Sequence, residues 1–429
     1  METKYLIIGN SVAGVNAIEA IREVDTDGKI VVVSDEDILN YSRPLISYYL
    51  GNKISREKLS FRDENFYKEN KVKVLLKTKA LKLDTGKKEV DLNTGNKIKF
   101  QKLLIATGGK PIIPSIKGMD NTKKGIFTFT KFSDSQRIIE YIEKNKIGEA
   151  VVLGAGLIGL KSTEGLLGRG LKVTVIELAD RILANTFDKD ASEILEKALN
   201  KYGCNVIKED TIIGVKNTEG KLGKVILKSG KEIPTELLII AIGVKPNMDL
   251  IEGTSLKYDR GIIVNEFMET NIKDIYSAGD VAQGKDFLTQ KNSVIAIWPV
   301  ASYHGKIAGY NMAGKVTKYR GLFIMNSLEI AEIPTISFGI TNPSGTEYEI
   351  LVKKDTEKNC YRKIVLKNNI IVGAILLGKI DRGGIISGLI KEKIDASLFK
   401  NNLLTDDFGL LILPEEYRKH IVTGDGIEV

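Results

Sequence analysis

Two glycine fingerprints, beginning at Gly9 and Gly154, constrain this 429-residue chain more than any other feature. The first, Gly9-Asn10-Ser11-Val12-Ala13-Gly14, follows the apolar run Tyr5 to Ile8; the second, Gly154-Ala155-Gly156-Leu157-Ile158-Gly159, follows Val151 to Leu153. Each precedes a helical pattern, so each reads as strand, tight turn and helix. Glycine lets such a turn tighten and its backbone approach a pyrophosphate, whose charge the free N–H groups and the positive helix end stabilise. Each fingerprint is followed by a second apolar strand ending in acid, a residue type suited to ribose hydroxyls. These are Ile30 to Val33 before Asp35 and Glu36, and Val173 to Ile176 before Glu177. The pattern predicts two dinucleotide sites in one chain.

The length implies more than one core. With 43% hydrophobic and 28% charged residues the composition is that of an ordinary water-soluble protein. No apolar run approaches the roughly 20 residues of a membrane span, and Leu237 to Ile242 is among the longest. The first residues lead straight into a strand pattern without the features of a signal peptide, and two cysteines provide no disulfide framework, so a cytoplasmic location is the expectation. The formal charge of +8 is spread through a lysine-rich sequence, and no basic run interleaves with aromatics. Neither nucleic acid nor membrane is an expected partner.

Along the chain, Tyr41-Ser42-Arg43-Pro44-Leu45 opens a segment rich in Tyr and Lys. Alternating stretches Val72 to Leu83 and Lys88 to Phe100 read as a small antiparallel excursion, before a buried strand Leu103 to Ala106 ends at Thr107-Gly108-Gly109. The second half repeats this plan: an excursion from Ile212 to Ile233, a buried strand Leu237 to Ala241, then Ile242-Gly243. Ala106-Thr107-Gly108 and Ala241-Ile242-Gly243 thus occupy equivalent places in a degenerate duplication. Pro111 and Pro114 mark a crossing between domains. A further short strand ends at Gly279-Asp280, and from about 316 alternating strands (Thr335 to Ile340, Glu347 to Val352, Lys363 to Leu366, Ile370 to Leu377) precede an amphipathic helical end.

In this order the motifs resemble those of FAD-dependent pyridine nucleotide oxidoreductases related to the disulfide reductases. The resemblance is strongest to the branch of NADH oxidases, rubredoxin and ferredoxin reductases, and the flavin modules of nitrite and nitrate reductases. It implies an α/β fold of two interleaved Rossmann-like domains, for FAD and NAD, plus a C-terminal α+β domain. The implied boundaries are 1–111 with 245–315 for FAD, 112–244 for NAD, and 316–429 for the last domain.

The resemblance implies FAD at Gly9, Ser11, Val12, Ala13 and Gly14, with Asp35 or Glu36 on the adenosine ribose, Arg43 and Pro44 along the cofactor, and Ala106, Thr107 and Gly108 beside it. Gly279 and Asp280 would meet the ribityl chain, with a helix starting near Val281 aimed at the cofactor, and Trp298 would lie near the flavin ring or fill a domain seam. Ser11 replaces the usual second glycine. NAD(H) would be held by Gly154, Gly156, Leu157, Ile158, Gly159, Glu177, Ile242 and Gly243. Glu177 would repel the extra phosphate of NADPH, which favours NADH. Lys161 stands where many relatives carry Glu; it either stabilises negative charge on a reduced flavin or points to solvent.

The other half-reaction follows from absences. The segment Tyr41 to Leu50 lacks the reactive cysteine of the disulfide and peroxide reductases, while Cys204 and Cys360 lie far apart and read as packing residues. With His304 and His420 they make neither an iron–sulfur nor a typical zinc site, so no metal is expected, and no His-Glu proton relay is evident near the C-terminus. The expected partner is a small electron-carrier protein or an iron–sulfur subunit, the alternative being dioxygen as in an NADH oxidase. A third reading makes the chain the flavin subunit of a larger metalloenzyme that reduces NAD+. A homodimer and a hetero-complex both remain open. The tail from Asp395 through Pro414 to Val429, with its apolar stretch Leu403 to Leu413, is suited either to a partner or to its own domain.

Overall fold

The computed structural model describes residues 1–415 and Arg418. Contacts group the chain into two compact units: Met1–Pro114, Phe127–Ile147 and Ala241–Phe323 form the first, and Ser115–Ile126, Gly148–Ile240 and the residues from Ile324 form the second.

The first unit is built on a parallel sheet. Its strands run in the order Val72–Leu75, Ile30–Val33, Glu2–Ile8, Lys97–Ile105, with Ile275–Ser277 beyond, in parallel with the end of Lys97–Ile105. The central strands are buried on both faces, which is why they read as unbroken apolar runs. The register Ile8↔Val33 and Ile8↔Ile105 brings three strand ends together at Gly9, where the helix Val12–Arg22 begins.

Two expectations are corrected here. Val72–Leu75 extends the parallel sheet rather than the excursion, which comprises Ala80–Asp84, Glu89–Leu92 and the first half of Lys97–Ile105. No helix follows Asp280: Gly279–Val281 is a single 3-10 turn, and the chain passes directly into the strand Ala282–Lys285. The helix that does cover this region is Trp298–Met312, with Pro299 in its first turn, where the missing N–H costs nothing.

That helix lies unusually close to Val12–Arg22 because both faces are stripped to small residues. A Cβ added at Gly305 would stand 2.1 Å from the Ala13 carbonyl oxygen, and one at Gly309 would stand 2.5 Å from that of Ala17. Around this contact Val15, Ile18, Ile21, Ile307 and Met312 are buried. The helix Phe132–Asn145 packs on Ile46–Leu50, with the Tyr49 and Phe132 rings 5.1 Å apart.

In the second unit a parallel sheet of order Cys204–Ile207, Lys172–Ile176, Glu149–Leu153, Leu238–Ile240 repeats the plan, with the helix Leu157–Leu167 after the second fingerprint. The excursion is a three-stranded antiparallel sheet, Ile212–Thr218, Lys221–Leu227 and Glu232–Pro234. The C-terminal part is a five-stranded antiparallel sheet of order Met325–Ile330, Ile333–Gly339, Ile370–Leu377, Cys360–Lys367, Tyr348–Asp355, on which the helix Gly383–Glu392 packs. Met325–Ile330 is a strand that the sequence reading lacked. In the tail, Leu403, Phe408 and Leu413 are buried, while Leu411 is exposed; its end, including His420, lies outside the described residues.

Candidate functional site

The two fingerprints share one backbone geometry. Gly9 and Gly154 have φ of 120° and 105°, and their N–H groups donate to the last residue of the neighbouring strand, Val33 at 2.9 Å and Ile176 at 2.7 Å. Any side chain at Gly9 would collide with the Ala106 carbonyl, 2.0 Å from its Cβ, and one at Gly14 with the Gly9 carbonyl at 2.1 Å. The glycines therefore let three backbone segments converge. Ser11 is the N-cap of Val12–Arg22, yet its side chain makes no capping bond, so the first N–H groups of the helix keep their donors. Gly156 fills the same position in the second unit; it is exposed, with open space where a side chain would stand. Leu157 and Ile158 behind it are half-buried and Gly159 is buried.

Asn10 is a residue that sequence reasoning did not single out. It is buried, its Oδ1 accepts the Tyr67 hydroxyl at 2.8 Å, and its Nδ2 has no partner among the described residues. An orphaned buried donor in a fingerprint loop is costly alone and is satisfied by an anionic or carbonyl acceptor there. The polar residue between strand and cap was the signal available in the sequence.

Asp35 and Glu36 separate clearly. The register makes Ser34 the counterpart of Glu177, each directly following the residue that receives the fingerprint N–H. Asp35 is exposed and pairs with Lys131 at 2.8 Å. Glu36, only 11% exposed, accepts Arg43 Nη2 at 2.6 Å and the Tyr41 hydroxyl at 2.7 Å. Arg43 is held from its other side by the Thr130 carbonyl at 2.6 Å, and the Tyr41 oxygen accepts the Phe132 N–H at 3.2 Å. Burial alone would lower the Arg43 pKa; the charges of Tyr41, Glu36, Asp280 and Asp35 outweigh it and keep the guanidinium protonated. Pro44 sits at the start of the turn Arg43–Leu45 and fixes its backbone.

Ala106 donates to the Ile8 carbonyl at 2.8 Å, Thr107 Oγ1 to the Asn247 carbonyl at 2.7 Å, and Gly108 takes φ of 67° while accepting the Asn247 N–H. Gly279, at φ 77°, lies against Ala13. Asp280 beside it is half-buried; desolvation pushes its carboxyl up and the Arg43 charge opposes this. Trp298 stacks edge-on against Phe61 with ring centres 5.1 Å apart. The turn around Gly9 thus gathers Asn10, Ala106 and Gly279, and Arg43 brings Glu36 and Asp280 into one electrostatic group.

In the second unit Glu177 accepts the Ala155 N–H at 2.6 Å and the Ala179 N–H at 2.8 Å, which aims its carboxylate at the fingerprint turn. Lys161 is paired with Glu164 and reaches the Glu329 carbonyl at 3.3 Å, while Glu164 also accepts the Ala331 N–H. It is engaged with protein groups and 20% exposed. Ile242 and Gly243 fall in the first unit, where Gly243 (φ 118°) accepts the Ile112 N–H. Cys204 is buried and its thiol is pushed up to about 12 by burial, an inert packing residue. Cys360 is half-buried and lines a small cavity.

Residues 3–305 match the pyridine nucleotide-disulphide oxidoreductase family, and residues 325–394 match the rubredoxin NAD+ reductase C-terminal domain. The chain belongs to the pyridine nucleotide-disulphide oxidoreductase family, and its cofactors are FAD and NAD(H). It is 31% identical to the NADH-dependent phenylglyoxylate dehydrogenase subunit epsilon of Aromatoleum evansii, over 94% of this chain and 95% of that one. Among solved structures it is similar to the NADH:rubredoxin oxidoreductase of Clostridium acetobutylicum (TM-score 0.77, 27% identity, 94% and 100% covered). It is likewise similar to a NAD-dependent persulfide reductase from A. fulgidus (TM-score 0.85, 26% identity, 95% and 79% covered). The residues present fit the two cofactors: an orphaned Asn10 donor in the first fingerprint, and in the second the open space at Gly156 beside an acid oriented by backbone. Among the described residues no helix is long and apolar enough to cross a membrane.

Proposed function

We propose that the chain transfers electrons between NAD(H) and a small iron–sulfur electron carrier or partner subunit, with FAD held at the first fingerprint. The Gly9–Gly14 turn, Asn10 and the start of Val12–Arg22 would receive the pyrophosphate; Glu36 rather than Asp35 would serve the ribose, since Arg43 and Tyr41 hold it inward. Asp280 and Arg43 would flank the rest of the cofactor. Gly154, Gly156 and Gly159 with Glu177 would hold NAD(H). FAD held there would supply a hydride acceptor for NADH and an outlet for electrons singly or as a pair. The protein's part is alignment and electrostatic support, so no acid or base residue is assigned.

The observation that carries the acceptor assignment is the segment Tyr41 to Leu50, where no thiol stands and Tyr41 and Arg43 are committed to Glu36. A sulfur substrate finds no protein nucleophile in it. The similar proteins support a carrier or subunit: one is named for rubredoxin, and another is a subunit of an NADH-dependent dehydrogenase. The test is anaerobic reduction of the purified flavoprotein with NADH, then comparison of reoxidation by rubredoxin, by an acidic ferredoxin and by oxygen. The proposal expects carrier protein to accelerate reoxidation well beyond oxygen. Rapid oxygen turnover that no carrier accelerates makes the chain an NADH oxidase instead.

A further inference from the structure

The C-terminal sheet holds a cationic cavity that none of the cofactor chemistry uses. Lys353 stands directly opposite Arg362 on paired strands, an arrangement of like charges that destabilises a sheet unless an anion offsets it. Arg362 is only 8% exposed; its Nη1 donates to the Thr405 carbonyl at 2.7 Å, and its guanidinium has no ion pair among the described residues. Lys353 and Lys379 converge on Asp406 at 3.0 and 3.3 Å, and Lys358 reaches Asp355 at 3.6 Å. Together with Cys360 these side chains line a cavity of about 70 Å³. Four cations therefore face two carboxylates, and the most buried of the four is the one without a carboxylate partner. The Arg362 guanidinium thus has a neutral carbonyl as its protein partner, and an entering oxyanion gives its charge an ionic one.

We propose that this cavity binds a phosphate group, free or as a small monoester. Arg362 supplies the planar fork that matches a tetrahedral oxyanion, and Lys353 and Lys379 supply point charges now shared with Asp406. The excess of two positive charges suits a dianion better than a carboxylate. The site is separate from both fingerprints in sequence and needs neither cofactor.

Cys360 is the built-in reporter, because it lines the same cavity while Cys204 is buried and serves as the internal reference. The holoprotein is alkylated with iodoacetamide and the rate at Cys360 is read by peptide mass spectrometry. The arms are inorganic phosphate, glycerol phosphate, acetate, and chloride at matched ionic strength. With a Kd of about 1 mM, about 10 mM phosphate should slow Cys360 alkylation about tenfold. Protection by the monoester alone would identify an ester as the ligand. Lys353→Gln with Lys379→Gln, both at exposed positions, should abolish protection, and Asp406→Asn should strengthen it. The proposal fails if chloride or acetate protects as well as the phosphates, if no phosphate arm changes the rate, or if protection survives the double substitution.

Discussion

Gly305→Ala tests the closest helix contact of the first unit. Judged on helix propensity alone, the change stabilises the Trp298–Met312 helix by about 1 kcal/mol. The packing predicts the opposite sign. The new Cβ would lie 2.1 Å from the Ala13 carbonyl oxygen, 0.9 Å inside the 3.0 Å that real Cβ atoms essentially never breach, and the obstacle is backbone rather than a movable side-chain tip. The helices must separate by about that much along their contact, which loosens a core of buried Val15, Ile18, Ile307 and Met312. Overpacking of this kind costs about 1–3 kcal/mol, so the net effect is destabilisation by up to about 2 kcal/mol. Because Val12–Arg22 carries the first fingerprint, FAD affinity should fall as well. The chain has one tryptophan, Trp298, in the affected helix, so urea unfolding followed by its fluorescence reports on this unit. Gly388→Ala, in a helix with open space at that position, is the control and should gain about 0.5–1 kcal/mol by circular dichroism. A Gly305→Ala protein at least as stable as the parent would refute the close contact.

Three further outcomes follow from the sites. Glu177→Gln should narrow the preference for NADH over NADPH by about fivefold to a thousandfold in kcat/KM, the span of about 1 to 4 kcal/mol for one charge pair at about 4 Å; equal use of both cofactors by the unaltered chain would contradict the assignment. Arg43→Met frees Glu36 from its charge-assisted hydrogen bond, worth at most about 1.5–3 kcal/mol with the Arg43 side chain 35% exposed, and should weaken FAD binding to the apoprotein about tenfold in a fluorescence titration. His304 is buried with both ring nitrogens unpartnered among the described residues and its pKa pushed down to about 3 by burial, so the unfolded chain takes up a proton below pH 6.5 that the folded chain refuses. Stability should therefore fall as pH drops from about 6.5 toward 3, by about 2 kcal/mol at about pH 5, and His304→Phe should flatten that part of the urea-midpoint profile.

What the sequence displayed was whatever depends on local backbone demands. Gly9 and Gly154 sit at positive φ with neighbours that exclude a side chain, so only glycine serves, and the strands before them are buried on both faces and read as apolar runs. What it concealed depends on partners distant in the chain. Val72-Lys73-Val74-Leu75 alternates like a hairpin strand, yet it joins the parallel sheet because the edge of Ile30–Val33 is free to accept it. Asp35 and Glu36 are chemically alike and adjacent; only the strand register and the presence of Arg43, itself fixed by Thr130, distinguish them. The resemblance implies a helix near Val281, but Ala282 and Gln283 pair with Ile262 and Ile263 instead. The Lys161 side chain is decided by Glu164 and the Glu329 carbonyl, the latter supplied by a strand that the sequence reading did not contain.

The strand Ile275–Ser277 and the helix Trp298–Met312 complete a sheet and helix layer begun by the first 22 residues. During synthesis at roughly 5–20 residues per second, the amino-terminal strand and helix are therefore made roughly 15 to 60 seconds before their last covering segment. Throughout that interval Val15, Ile18 and Ile21 have no Ile307 or Met312 to shield them. A ribosome stalled midway would hold a sticky, unfinished half, and chaperone capture of the nascent chain should persist until about residue 312 has cleared the exit tunnel.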